Sequence, residues 1–238
     1  LFRSATSPKA AQAQTPPEKL AVFEAFGMVG WWHCAISGPV INQLSIDNAD
    51  KNIVYIDYSY RNPMLSRWEI IKHTEEGMGL TWAMVDSGQK YSRAASTDEE
   101  AIAKYTAMSN YAMEQEALAD VKAEYYIKDN MAYFKVTVTN LSEVTLSPEN
   151  NAGVHAIIKE VGYQHAQNTS VHAARGAGML AIENLAPNET ATYDIAFPLK
   201  YINDMENVVA VALVDYQTEP DGIFDQLNAA IGTPVEPV

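Results

Sequence analysis

The chain has 238 residues, 30 acidic and 16 basic, for a net charge of −14. That charge is repelled by nucleic-acid phosphates and anionic lipid surfaces. No run approaches the roughly 18 apolar residues of a membrane-spanning helix. The expectation is therefore no nucleic-acid partner and no integral membrane span. Cys34 is the only cysteine, which excludes an intramolecular disulfide and a thiolate-only metal cluster within one chain. The apolar fraction of 47% supports real cores, and the length suits two modest domains or one large one.

Residues 1–19 are rich in Ala, Ser, Thr, Gln and Pro and show no periodicity, so they read as an extended N-terminal arm. Ala11-Gln12-Ala13 has the small-x-small character of a signal cleavage site, and the expectation is a mature, exported protein (periplasm, cell surface or extracellular). Leu20–Phe26 is an apolar run with one acid, Glu24, and predicts a central strand. A Trp-Trp-His-Cys turn leads from it to helical character over Ser37–Leu44, with Pro39 in the first turn. Asn52–Tyr58 predicts a second strand, and Pro63–Glu76 a helix ended by Gly77. Leu80–Asp86 and Gln89–Arg93 flank Ser87-Gly88 as a hairpin. Thr97 to Glu100 is a capping box opening a helix with Ile102, Tyr105, Met108, Ala112 and Met113 on one side.

From Asp120 the texture changes to short alternating strands separated by turn residues, with Asp129-Asn130 as a hairpin turn. This pattern predicts an antiparallel β-sandwich. Ile223, Leu227 and Ile231, at i, i+4 and i+8, predict a closing amphipathic helix. The domain reading is an arm over 1–19, an α/β domain over 20–119, a sandwich over 120–220 and a short C-terminal helix and tail over 221–238.

The β-α-β-α-β-β-α order of the first part, with VFEAFGMVGWWHC at the strand–helix junction, resembles the thioredoxin-like superfamily over roughly residues 20–119. Together with the turn Leu185–Thr190 and the closing VVAVALVDYQTEPDGIFDQLNAA, the whole chain is similar to bacterial exported lipoproteins and outer-membrane proteins that join a thioredoxin-like domain to an immunoglobulin-like sandwich. The fold class expected is thus an α/β thioredoxin-like N-terminal domain followed by an all-β immunoglobulin-like sandwich.

The resemblance places a redox pair at Cys34 and Ser37, reading C-A-I-S. A dithiol cycle needs a second thiol to resolve the mixed disulfide, and the chain has none. The cis-proline that such proteins carry before the third strand is also missing near Leu80-Thr81-Trp82. Cys34 then reads either as a small buried hydrophobe or as a monothiol activated by a helix N-terminus and by His33. Trp31, Trp32 and His33 are candidate binding residues, since Trp dominates interface hot spots; core packing is the plain alternative.

His155, His165 and His172 match no zinc spacing. Asp215, Glu219, Asp221 and Asp225 lack the glycine spacing of a calcium loop and read as a solvated acidic loop. No metal and no cofactor are expected. Asn140, Asn168 and Asn188 head glycosylation triplets.

Two functions follow. The first is a non-catalytic structural or binding subunit of an exported assembly, meeting protein partners or copies of itself through the arm. The alternative is a monothiol thiol-disulfide oxidoreductase or isomerase using Cys34, with Ser37 donating a hydrogen bond to the thiolate. A carbohydrate- or protein-binding sandwich is a third reading, which requires an exposed aromatic row on one sheet face.

Overall fold

The computed structural model describes residues 17–27, 32–58, 67, 82–93, 95–165, 168–219 and 222–237. Strand β1, Ala21–Phe26, is buried along its whole length. It pairs in parallel with β2, Ile53–Tyr58. The connection runs through helix α1, Trp32–Asp47. This helix begins five residues before the expected start at Ser37, so Pro39 lies inside it and cannot donate to the carbonyl one turn back. The other edge of β1 pairs antiparallel with β3, Trp82–Val85, which continues into β4, Lys90–Arg93. The hairpin between them turns through Asp86, Ser87 and Gly88, all at positive φ (53°, 53° and 102°).

Helix α2, Asp98–Met113, starts as its sequence predicts. Thr97 Oγ1 accepts from Glu100 N at 3.2 Å, and Glu100 Oε2 accepts from Ser96 N at 2.8 Å. Its buried face is Ala101, Tyr105, Met108, Ser109 and Ala112; Ile102, expected to face inward, is exposed. The expected helix Pro63–Glu76 lies outside the described residues apart from Arg67.

The second half is built of long antiparallel strands. β5, Ala119–Lys128, and β6, Met131–Asn140, form a hairpin with Asp129 and Asn130 both left-handed, as a two-residue turn of this hand requires. β7, Gly153–His165, pairs with β8, Asn168–Ala181. β9, Thr190–Pro198, joins β6, and β10, Val208–Gln217, joins β7.

The closing segment corrects the sequence reading: Phe224–Ile231 is strand β11, antiparallel to β10, not a helix. A spacing of four is common to a helix face and a strand face. Here Leu227 points into one core, while Ile223 and Ile231 are partly exposed. Gln226 and Asn228 are buried polar residues, which hid the strand alternation. The short β12, Thr233–Pro234, runs parallel to β5.

These strands make two sheets. One has eight strands in the order β11-β10-β7-β8-β2-β1-β3-β4, the other four in the order β12-β5-β6-β9. The two halves of the large sheet meet where β2 pairs in parallel with β8 at Asp57 and Ala173.

Three cores stack through the molecule. Helices α1 and α2 cover one face of β1–β3, through Val40, Ile41, Tyr105 and Met108 against Phe23, Tyr55 and Val85. The opposite face, with Val22, Ile56 and Met84, packs on Ile157, Val211, Leu213 and Phe224 from the other end of the same sheet. The large sheet therefore coils back on itself. Its far face packs on the four-stranded sheet, through Val154, Ile158 and Val214 against Phe134, Val136 and Phe197. The architecture is mixed α/β and rich in sheet. Among the described residues no helix is long and apolar enough to cross a membrane.

Candidate functional site

The strand–helix junction comes first. Trp31 lies outside the described residues, as do the side chains of Trp32, His33 and Cys34; the backbone of these three forms the first turn of α1. Ser37, one turn on, is buried. Its Oγ lies 2.9 Å from Tyr105 Oη, in the seam between α1 and α2. The Tyr105 ring is in turn fixed edge-on against Phe23, with centroids 5.7 Å apart. The Ser37 hydroxyl thus serves the packing of the two helices.

The strongest concentration of charge lies elsewhere, at one end of the central core. Glu24 on β1 points inward with Val22 and Phe26. Arg67 clasps it with two hydrogen bonds, Nε to Oε1 and Nη2 to Oε2, both 2.7 Å. Arg67 Nη1 donates to Asp215 Oδ2 at 2.7 Å, and Nη2 to Ser87 Oγ at 3.0 Å. Ser87 donates to Asp215 Oδ2 at 2.8 Å, Tyr58 Oη to Glu24 Oε1 at 2.9 Å, and His155 Nε2 meets Asp215 Oδ1 at 3.0 Å. Arg67, Glu24 and Asp215 are fully buried. His155 and Arg67 hold the Asp215 carboxyl far below the usual carboxylate range despite its burial. The Arg67 guanidinium is held charged by Glu24 and Asp215. A buried charge without partners costs several kcal/mol, and this network leaves none of its charges unpaired.

Serine, histidine and aspartate meet here, but in the wrong order for nucleophilic catalysis. The Ser87 proton goes to Asp215, not to the imidazole, so no base is poised to activate the hydroxyl. The His155 Nδ1 atom is buried with no hydrogen-bond partner. Asp215 was expected in a solvated acidic loop; it belongs to β10, beside a bulge between Val214 and Asp215 that re-aims the strand. Asp225 belongs to β11, and Asp221 lies outside the described residues.

Next to this network, Lys19 Nζ pairs with Asp86 Oδ1 at 2.8 Å and donates to the carbonyl of Gln226. Asn228 and Gln226 complete the clamp. Asn228 Oδ1 accepts from Leu20 N at 2.9 Å, and Gln226 Nε2 donates to Leu20 O at 3.0 Å. The end of the predicted arm is therefore fastened to β11. Burial and the nearby Asp86 push the Asp225 carboxyl up to about 6.

A second buried pair sits between β7 and β8. Lys159 Nζ donates to Tyr55 O at 2.9 Å and to His172 Nδ1 at 3.1 Å. Burial pulls the lysine down to about 7, and burial with the neighbouring ammonium pulls His172 down to about 3. The histidines weighed as a metal set are thus apart: His155 is on Asp215, His172 is on Lys159, and the side chain of His165 is outside the described residues. Among the described residues no three His, Cys, Asp or Glu side chains converge on a metal position.

Asn140, which heads the first glycosylation triplet, is built into the fold. It is fully buried, and its Nδ2 donates to Val144 O and Leu185 O at 2.8 and 2.9 Å. Asn188 is exposed in its turn, and the Asn168 side chain is outside the described residues.

Sequence reasoning missed the Glu24–Arg67–Asp215–His155 network and the Lys159–His172 pair. The signal available was a charge inside an apolar run, as in Glu24 within LAVFEAF, Asp215 within VVAVALVDY and Lys159 within VHAIIKEV. Such a residue announces a buried partner without naming it.

The fold has solved counterparts. HBP35 of Porphyromonas gingivalis superposes with a TM-score of 0.62 at 12% identity, over 93% of this chain and 79% of that one. Protein AGR_C_4864 of Agrobacterium tumefaciens superposes with a TM-score of 0.53 at 11% identity, over 91% and 95%. These likenesses span nearly the whole described architecture and concern the fold alone. No protein-family model and no curated protein matches the sequence.

Proposed function

We propose that the chain is a non-catalytic structural or binding subunit of an exported assembly. In this reading residues 20–119 are a redox-degenerate thioredoxin-like unit and residues 120–220 an immunoglobulin-like sandwich. The observation that carries it is the buried hydrogen bond between Ser37 Oγ and Tyr105 Oη, in a chain with one cysteine. The hydroxyl that would assist a thiolate is engaged between two helices, and no second thiol exists to release a mixed disulfide. The parallel β1–β2 pair, the β3–β4 hairpin on the other edge of β1 and the helical layer support the thioredoxin-like part. The clamp of Lys19 and Leu20 on β11 anchors the chain to the body where the arm ends.

Two measurements test this. In a disulfide-reduction assay, wild-type protein and Cys34→Ser are expected to show the same background rate; turnover dependent on Cys34 would make the monothiol oxidoreductase the correct reading. Light scattering on residues 1–238 and on residues 17–238, which keep the Lys19–Asp86 pair, tests the arm. A multimer that becomes monomeric on truncation is expected, and a monomer in both cases removes the assembly role.

A further inference from the structure

The outer face of the four-stranded sheet is turned away from all three cores. In register across β5, β6 and β9 lie Asp120-Thr139-Thr190, Lys122-Thr137-Thr192, Glu124-Lys135-Asp194, Tyr126-Tyr133-Ala196 and Lys128-Met131-Pro198. The threonines of the first two rows bond across the strands, Thr139 to Thr190 at 2.8 Å and Thr137 to Thr192 at 3.2 Å. The Tyr126 and Tyr133 rings are parallel to within 14°, with centroids 4.7 Å apart. That distance equals the spacing of neighbouring strands, about 4.7–4.9 Å. The rings therefore face each other along the cross-strand direction, and the second face of Tyr133 is turned toward β9. Its cross-strand partner there is Ala196, the smallest side chain in the row, and exposed.

The result is a slot over Ala196, with an aromatic wall on one side and Lys135 and Asp194 at its end. It opens into a cleft of about 450 Å³ walled at the far side by Val235. A second depression of about 580 Å³ adjoins it, shares Glu124 and Lys135, and continues past Thr137 to Ile231 and Thr233. Both volumes lie in the range of small-molecule sites, roughly 300–1,000 Å³.

We propose that this trough binds a linear, uncharged oligosaccharide, with one pyranose ring in the slot against Tyr133. The face carries three acidic side chains, Asp120, Glu124 and Asp194, and three basic ones, Lys122, Lys128 and Lys135. It is charge-balanced on a molecule of net charge −14, so it offers no basic field to a polyanion. Its apolar part is confined to one end, Tyr126 and Tyr133 with Ala196, Met131 and Pro198, and charged and hydroxyl side chains make up the other rows, unlike the apolar core of a protein interface. A sugar matches both parts. Its apolar C–H face packs on the electron-rich face of the tyrosine, and its ring hydroxyls donate to Asp194 and accept from Lys135. Among the described residues Lys135 has no carboxylate within ion-pair distance, although Glu124 and Asp194 flank it in register. The stacked pair holds Tyr133 in place before binding, which reduces the ordering cost.

The test is calorimetric titration of the full chain with cellohexaose, xylohexaose, maltohexaose and mannohexaose, and with a sulfated heparin hexasaccharide as charged control. At least one neutral probe is expected to bind with a Kd of about 1 mM or tighter. Ala196→Phe, which fills the slot, and Tyr133→Ala are each expected to weaken it by about tenfold or more. Tyr201→Ala, on an exposed tyrosine off this face, leaves it unchanged. Asp194→Asn, a surface change with no packing consequence, weakens binding even where Tyr133→Ala destabilises the sheet. Absence of binding by every neutral probe, binding indifferent to Ala196→Phe and Asp194→Asn, or binding of the sulfated probe alone overturns the proposal. The result is independent of the arm, because it is read per chain whatever the assembly mass.

Discussion

At the scale of single residues, the chain spends its buried charges on positioning. Arg67 is the hub, because one guanidinium neutralises Glu24 and Asp215 and also bonds Ser87. Arg67→Met leaves two carboxylates in an apolar core, and is expected to lower stability by about 3–5 kcal/mol, measured by urea denaturation. Adding Glu24→Gln and Asp215→Asn should recover part of that loss, since the charges left behind, not the missing side chain, dominate it. A recovery of nothing would show that Arg67 acts chiefly by packing.

Lys159 gives a pH signature of the opposite kind. Burial lowers its folded pKa to about 7 from an unfolded value of 10.5. Between those values the unfolded chain binds a proton that the folded chain does not, so stability rises with pH and is lost as pH falls toward 7. Lys159→Met is therefore expected to change stability more favourably at about pH 6 than at about pH 9. Loss of its bonds to Tyr55 and His172 offsets this equally at both pH values. A stability difference between variant and wild type that is flat with pH would refute the assignment.

At the scale of elements, close approach sets the limits. Strand β8 passes so near β9 that a Cβ on Gly178 would lie 2.7 Å from Phe197 Cδ1 and 3.0 Å from Ile195 Cγ2. Gly178→Val forces these core side chains aside in the seam between the sheets, with an expected loss of about 1–3 kcal/mol; an unchanged melting temperature would mean that β9 moves freely. The same strand shows where sequence reading stops. Hairpins declare themselves locally, so Asp129-Asn130, Ser87-Gly88 and the Thr97 cap were legible, as was the alternation of β6. The length of β8 was not, because its Ala- and Gly-rich run suits contact with a neighbouring sheet more than any propensity scale. Strand β11 was misread because its polar residues Gln226 and Asn228 face inward to hold residues 18–20. The pairing of Asp57 with Ala173 joins segments more than a hundred residues apart, and no local pattern encodes it. The candidate site was legible only as residue types: Ser37 stood out, but its partner Tyr105 lies on another helix.

At the scale of the whole molecule, the central core decides how the chain unfolds. The coiled sheet buries Val22, Val54, Ile56 and Met84 from the first half against Ile157, Val211, Leu213 and Phe224 from the second. The Arg67 network crosses the same boundary, tying Glu24 on β1 to Asp215 on β10. Neither half closes its apolar surface without the other. A fragment of residues 119–238 retains the core between β7–β10 and the four-stranded sheet but exposes the reverse face of β7 and β10, along with His155 and Asp215 stripped of Arg67. The full chain is accordingly expected to melt in one calorimetric transition, with calorimetric and van't Hoff enthalpies in agreement. Phe134→Ala in the sandwich core and Tyr105→Ala in the helical core should each shift that single transition, although both layers of the coiled sheet and the central core lie between the two sites. The isolated fragment should bind a hydrophobic dye and unfold without a sharp transition. Two resolved transitions, each moved by only one of the variants, would instead mean that the β2–β8 contact and the shared core are too weak to couple the halves, and that the chain is two domains in energy as well as in sequence texture.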